Sequence, residues 1–137
     1  MKTIIALDLE GTLISNGMSQ IPRFGLYPFL EKIRDLTPHI VLYTTLSVGL
    51  TKQIRNTLAD EGSVPEWFRT LPYVEWEGEF KDIAFVRALY EPEQVRVLLL
   101  DDHMGHLKGQ EDSFVLVKQF ESPYSDDTVL SNLIIEV

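Results

Sequence analysis

Asp8 and Glu10 stand two residues apart in TIIALDLEGTLI at positions 3–14, behind an apolar run and ahead of Gly11-Thr12. A buried strand that ends in a carboxylate and a tight glycine turn puts charge at the carboxyl edge of an α/β sheet. Two further strands end in that way, and a lysine stands between them. VLYTT delivers Thr44, LLLDD delivers Asp101 and Asp102, and FKDI carries Lys81 between them. A carboxylate, a hydroxyl, a lysine and a paired carboxylate are the set that phosphoryl transfer requires. One oxygen attacks phosphorus, a cation and an ammonium neutralise the phosphate oxygens, and a hydroxyl with backbone amides holds them. Mg²⁺ is the cation that a few carboxylates, waters and substrate oxygens suit, and Asp8 and Asp101 are the carboxylates to supply it.

The elements that must position these residues follow from apolar patterning. Residues 3–9, 39–44, 95–100 and 114–119 are apolar or β-branched runs that predict strands, the first three covered on both faces. Leu26, Phe29, Leu30 and Ile33 recur at helical spacing and predict a helix over 25–36, with Pro28 in its first turn. Ser47 is an N-cap for a helix over 47–60 whose inner face holds Leu50, Ile54 and Leu58. A third helix is expected over 81–90, opened by Lys81. A fourth is expected over 126–133, capped by Ser125 with Asp126 and Asp127 in its first turn. Residues 15–24 read as a loop with room for a short hairpin, and 64–79 as the least regular stretch. Strands alternating with helices predict a single α/β domain over residues 1–137. Its sheet is mostly parallel, with helices on both faces in three Rossmann-like layers. Right-handed crossovers then bring Asp8, Thr44 and Asp101 to one edge.

Composition narrows the function. The 137 residues carry 12 basic and 21 acidic side chains, a formal net charge of −9, and no cysteine. Disulfides, thiolate metal sites and cysteine nucleophiles are excluded. The negative balance disfavours nucleic-acid binding and suits a site that gathers a divalent cation. No apolar run approaches the length of a membrane span, and the N-terminal residues are unlike a signal peptide. The expectation is a cytoplasmic protein with no membrane and no nucleic-acid partner.

The four motifs in this order resemble the haloacid dehalogenase superfamily of phosphotransferases. DLEGT stands where that family has DxDGT, and VLYTT, the lysine of FKDI and LLLDD match its other three motifs. FLEKIRDLTPHIVLYTTLS is similar to the small capless phosphatases of the polymerase-tail, or NLI-interacting-factor-like, type, and no interval has room for a large cap domain. The resemblance implies a Mg²⁺-dependent phosphatase working through an aspartyl-phosphate on Asp8, on a phosphorylated protein or small molecule. It implies Glu10 as the acid and base, Thr44 and Lys81 as phosphate ligands, and metal contacts from Asp8, the Glu10 carbonyl, Asp101 and Asp102. The family's arginine-rich approach to the second helix is missing, Arg23 in the loop before it being the nearest candidate, and two positions depart from the family. Its second acid is usually Asp, and Glu10 reaches roughly 1 Å farther, a displacement that can cost about 100-fold in rate. Asp102 stands where the phosphatase subgroup often has Asn. The site therefore reads as an adjusted enzyme, a slow one, or a protein that binds metal and phosphate for regulation without efficient turnover. A small-metabolite or nucleotide phosphatase is the other enzyme reading.

Several residues carry a plainer reading beside a functional one. Asp102 either binds metal or hydrogen-bonds the loop or Lys81. His103 and His106, at i and i+3, are too few and too close to an oxygen-rich site to argue for zinc. Trp67, Phe68, Tyr73 and Trp76 are a substrate platform or loop packing. The acids between 75 and 79 read as a solvated loop.

Overall fold

The computed structural model describes residues 1–103, 109–124 and 127–137. Its centre is a four-stranded, wholly parallel sheet in the order β2-β1-β3-β4. The strands are β1 (Lys2–Leu7), β2 (Ile40–Leu42), β3 (Val95–Asp101) and β4 (Phe114–Leu116). The helices are α1 (Leu26–Leu36), α2 (Val48–Asp60), α3 (Ala84–Arg87) and α4 (Val129–Asn132). This is a small Rossmann-like α/β fold.

The alternation of β1 explains how the layers form. Ile5 and Leu7 point to one face, where Leu30 and Ile33 of α1, Ile54 and Leu58 of α2 and Leu130 of α4 complete a core. Ile4 and Ala6 point to the other face, against Ile83 and Val86 around α3. Both faces are therefore dry, and the near-continuous apolar strands are what that requires. Among the described residues, no helix is long and apolar enough to cross a membrane.

The expected elements are present, most of them shorter, with β3 one residue longer. β1 stops at Leu7 rather than Leu9, because the Leu9 carbonyl accepts the amides of Thr12, Leu13 and Ile14 and closes a turn instead. β4 stops at Leu116, three residues short of the expectation. Beyond it Val117 N–H still bonds the Asp101 carbonyl, but Phe120 N–H leaves the sheet for the Gly11 carbonyl. Ser47 caps α2 as expected, its hydroxyl accepting the Leu50 amide at 3.2 Å. Lys81 does not open a helix. The Asp82 carboxylate accepts the Ala84 amide at 2.8 Å and starts α3 three residues later. A 3-10 turn (Ala88–Tyr90) follows α3 directly. Residues 64–79 hold a 3-10 turn (Glu66–Thr70) and one parallel bridge, Leu42 to Tyr73. Ser125 and Asp126 lie outside the described residues. Within α4's approach, the Asp127 carboxylate accepts the Val129 amide at 3.0 Å.

Asp127 also meets Arg23 through two 3.0 Å hydrogen bonds, and the Arg23 side chain has no exposed surface. Burial pushes the Asp127 carboxyl up, but the Arg23 hydrogen bonds, the Val129 amide and the nearby positive charges outweigh it. Its folded value lies below the ordinary 3.8. A depressed acid contributes stability that is complete above the unfolded value and is lost as pH falls through the folded one. Asp127→Asn should therefore cost roughly 3 kcal/mol at pH 7 in chemical denaturation, the scale for a buried ion stripped of its partner. The gap to wild type should shrink as pH is taken below 3.8.

Candidate active site

β1 and β3 are neighbours in register, Leu7 level with Leu100, so the residues that follow them emerge side by side. The chain leaves β1 toward β2 on one side and returns to β3 on the other. That reversal opens a crevice at the carboxyl edge of such a sheet. Asp8 sits there, its amide bonded to the Leu100 carbonyl at 3.0 Å. Asp101, the last residue of β3, lies beside it. Both are buried.

Lys81 Nζ stands between them, 2.9 Å from Asp8 Oδ1 and 2.6 Å from Asp101 Oδ2, and donates also to the Tyr43 carbonyl at 2.8 Å. Thr12 closes the other side. Its hydroxyl is 3.0 Å from Asp8 Oδ2 and 3.2 Å from Asp102 Oδ1, and it accepts the Asp102 amide at 3.0 Å. Asp8, Asp101 and Asp102 each offer a carboxylate oxygen, all within 4.8 Å of one another. A cavity of about 280 Å³ opens over them, lined also by Glu10, Thr45, Trp76, Glu79, Lys81 and His103.

The charges in this crevice do not balance. Among the described residues, three clustered carboxylates face one ammonium. Burial pushes the Asp8 carboxyl well above the ordinary range, Lys81 offsets only part of that rise, and the Asp101 charge adds to it. Burial likewise raises Asp101 against the pull of Lys81. Burial works against the Lys81 charge, but the two acids outweigh it and hold the ammonium protonated above its ordinary value. Among the described residues, no second lysine or arginine lines the crevice. The clustered oxygens of Asp8, Asp101 and Asp102 could hold a metal ion.

The expected site residues divide into those that meet and those that turn aside. Asp8, Lys81, Asp101 and Asp102 converge. Glu10 lines the cavity, but its Oε2 accepts the Gly17 amide at 2.8 Å, and its carboxylate is outside the three-acid cluster. Thr44 is fully buried. Its hydroxyl accepts the Leu46 amide at 3.2 Å and its carbonyl accepts the Trp76 indole N–H at 2.9 Å. Thr45 is the threonine on the cavity wall. The aromatics separate too. Phe68 is core, Trp67 packs against it under the Arg34 guanidinium, Tyr73 donates to the Leu46 carbonyl at 2.6 Å, and Trp76 alone of the four lines the cavity. His106 lies outside the described residues. His103 is at the cavity, and its amide donates to Asp101 Oδ1 at 3.0 Å.

Thr12 is the contact residue that sequence reasoning left without a role. Its signal was its place four residues after Asp8, next to a glycine. That glycine is required twice over. Gly11 has φ +74°, and a Cβ there would fall on the Asp102 carboxylate.

No protein-family model matches the chain, and comparison with curated proteins finds no significant match.

Gly11→Ala should destabilise the protein by about 1–3 kcal/mol, the cost of a non-glycine residue held in left-handed backbone, with the collision added. Gly62, at φ +73° with open space around its Cβ position, is the control. Gly62→Ala should lose measurably less in the same chemical denaturation series.

Proposed function

We propose that the protein is a Mg²⁺-dependent phosphatase that hydrolyses phosphomonoesters through an aspartyl-phosphate on Asp8. The observation that carries the reading is the charge deficit at the ends of β1 and β3. Among the described residues, three clustered carboxylates and one ammonium share a crevice that is open to a small anion only if more positive charge accompanies it. The order of DLEGT, VLYTT, Lys81 and LLLDD, with its likeness to capless haloacid dehalogenase phosphatases, supports the same reading. So does the cavity, of a size for a phosphoryl group and part of its ester.

In this proposal Asp8, Asp101, Asp102 and the Glu10 carbonyl hold the magnesium ion, which when bound supplies the positive charge that makes phosphate approach favourable. Lys81 neutralises the Asp8 and Asp101 side of the crevice. Lys81 and the Thr45 hydroxyl on the cavity wall contact the phosphoryl oxygens, while Thr44, buried behind that wall, holds the turn that carries Thr45. A carboxylate oxygen of Asp8 attacks phosphorus as the bond to the ester oxygen breaks. Glu10 gives its proton to that departing oxygen, so an alcohol or phenol leaves and an acyl phosphate remains. Glu10, now a carboxylate, takes a proton from water as that water attacks the same phosphorus. Inorganic phosphate departs and Asp8 is restored. A phosphorylated protein and a small phosphate ester are both substrates that an uncovered cavity admits.

The Glu10–Gly17 hydrogen bond favours a second reading, a regulatory protein that binds metal and phosphate with little turnover. An acid anchored to a loop amide is not free to follow the leaving oxygen.

Purified protein should hydrolyse an aryl phosphate in Mg²⁺ and lose that activity in EDTA. Asp8→Asn should abolish it to at least about 10³-fold below wild type, the scale for removing a covalent nucleophile. No Mg²⁺-dependent turnover on aryl or peptide phosphates would sink the enzyme reading. Glu10→Asp separates the two readings of that residue. A fall in kcat means the site is built around the longer acid. A rise means the wild-type glutamate restrains it.

A further inference from the structure

Arg23 is buried where nothing in the proposed chemistry uses it. It lies in the loop that precedes α1, and its side chain has no exposed surface. A guanidinium loses its hydration when buried, so each donor needs an acceptor. The acceptors come from three separated parts of the chain. Nη1 donates to the Thr12 carbonyl at 3.0 Å and reaches the Gly11 carbonyl at 3.5 Å. Nε and Nη2 form a fork on the two carboxylate oxygens of Asp127, each at 3.0 Å. Nη2 also donates to the Lys118 carbonyl at 2.5 Å, and the cation lies 5.4 Å over the Phe120 ring. The Phe120 amide itself donates to the Gly11 carbonyl at 2.7 Å.

Gly11 and Thr12 form the turn that aims the site. Thr12's hydroxyl contacts Asp8 and Asp102, and Gly11 leaves space that the Asp102 carboxylate fills. Arg23 touches neither acid. It grips the backbone on the far side of that turn, and Asp127 fixes its planar fork from a segment more than a hundred residues on.

We propose that Arg23, anchored by Asp127, is a positioning residue: it clamps the Gly11-Thr12 turn to the C-terminal segment and so sets the separation of the Asp8 and Asp102 carboxylates. Lysine in its place keeps the charge but has no fork to span Thr12 and Asp127 together. A loosened turn displaces reacting groups, and a misplacement of about 1 Å costs on the order of 100-fold in rate. The part of the inference that concerns rate rests on the phosphatase reading; the clamp itself does not.

The test uses the full chain with Arg23→Lys, Asp127→Asn and the double variant. Two measurements are made on each folded protein: Mg²⁺-dependent hydrolysis of an aryl phosphate, and residue-resolved amide hydrogen exchange. The expected result is a kcat about 10–100-fold lower with KM within about 3-fold. Protection of the amides at 11–14 should fall at least about 10-fold while β1 and β3 keep theirs. The double variant should be no worse than Arg23→Lys, since both remove one clamp. Unchanged kcat, or protection lost evenly across the sheet, would overturn the positioning role and leave Arg23 a stability residue. If Arg23→Lys does not fold, Asp127→Asn carries the same comparison, because it removes the anchor's charge at equal size. If wild type shows no turnover, the phosphatase reading fails, and the exchange pattern at 11–14 alone upholds or overturns the clamp.

Discussion

Lys81 Nζ lies within hydrogen-bond distance of two buried carboxylates, and the carboxyl edge of the sheet is arranged around that contact. Acids this close and this dry repel each other and resist ionisation, and both carboxyls lie above their ordinary value. The ammonium makes their proximity tolerable. It cannot come from either strand. It arrives from the extended segment before α3, and the Tyr43 carbonyl at the end of β2 takes its remaining reach. Three neighbouring chain segments are thus tied at one nitrogen, with a net negative crevice left above it.

Backbone geometry holds the other side of the site. The turn after β1 places Thr12's hydroxyl against Asp8 and Asp102, and it is held in turn by amides returning to the Leu9 carbonyl. Its outer carbonyls are taken by Arg23 and by the Phe120 amide. The acid-bearing loop is therefore packed from behind as tightly as the sheet is from its faces. Glu10 turns away from the three-acid cluster, to the Gly17 amide.

The strands were legible because a sheet buried on both faces needs uninterrupted apolar residues, and four such runs stand in the chain. The helices α1 and α2 were legible from a single apolar stripe each and, in α2, from the Ser47 cap. The short elements were not. Residues 81–90 have apolar spacing enough for a longer helix, yet Asp82 captures the Ala84 amide and delays its start. Lys81 consequently lies in extended chain, where its side chain reaches inward to two acids rather than outward from a helix. The C-terminal helix was placed too early for a similar reason, since Asp127 is engaged by both Arg23 and the Val129 amide.

By itself the sequence determined the class of fold, the ends at which Asp8, Asp101 and Asp102 must emerge, and the absence of cysteine chemistry. Those follow from local patterning, because strand ends and turn glycines are set by residues next to each other in the chain. Only the tertiary structure decided which hydroxyl reaches the acids, which threonine faces the cavity, where Glu10 points, and that Arg23 and Asp127 stand behind the turn. Each depends on a side chain crossing between segments far apart in sequence, and its direction is fixed by hydrogen-bond partners that no local pattern contains. Thr12 shows the difference most simply: its neighbours Asp8 and Gly11 were plain to read, but its bond to Asp102 spans 90 positions.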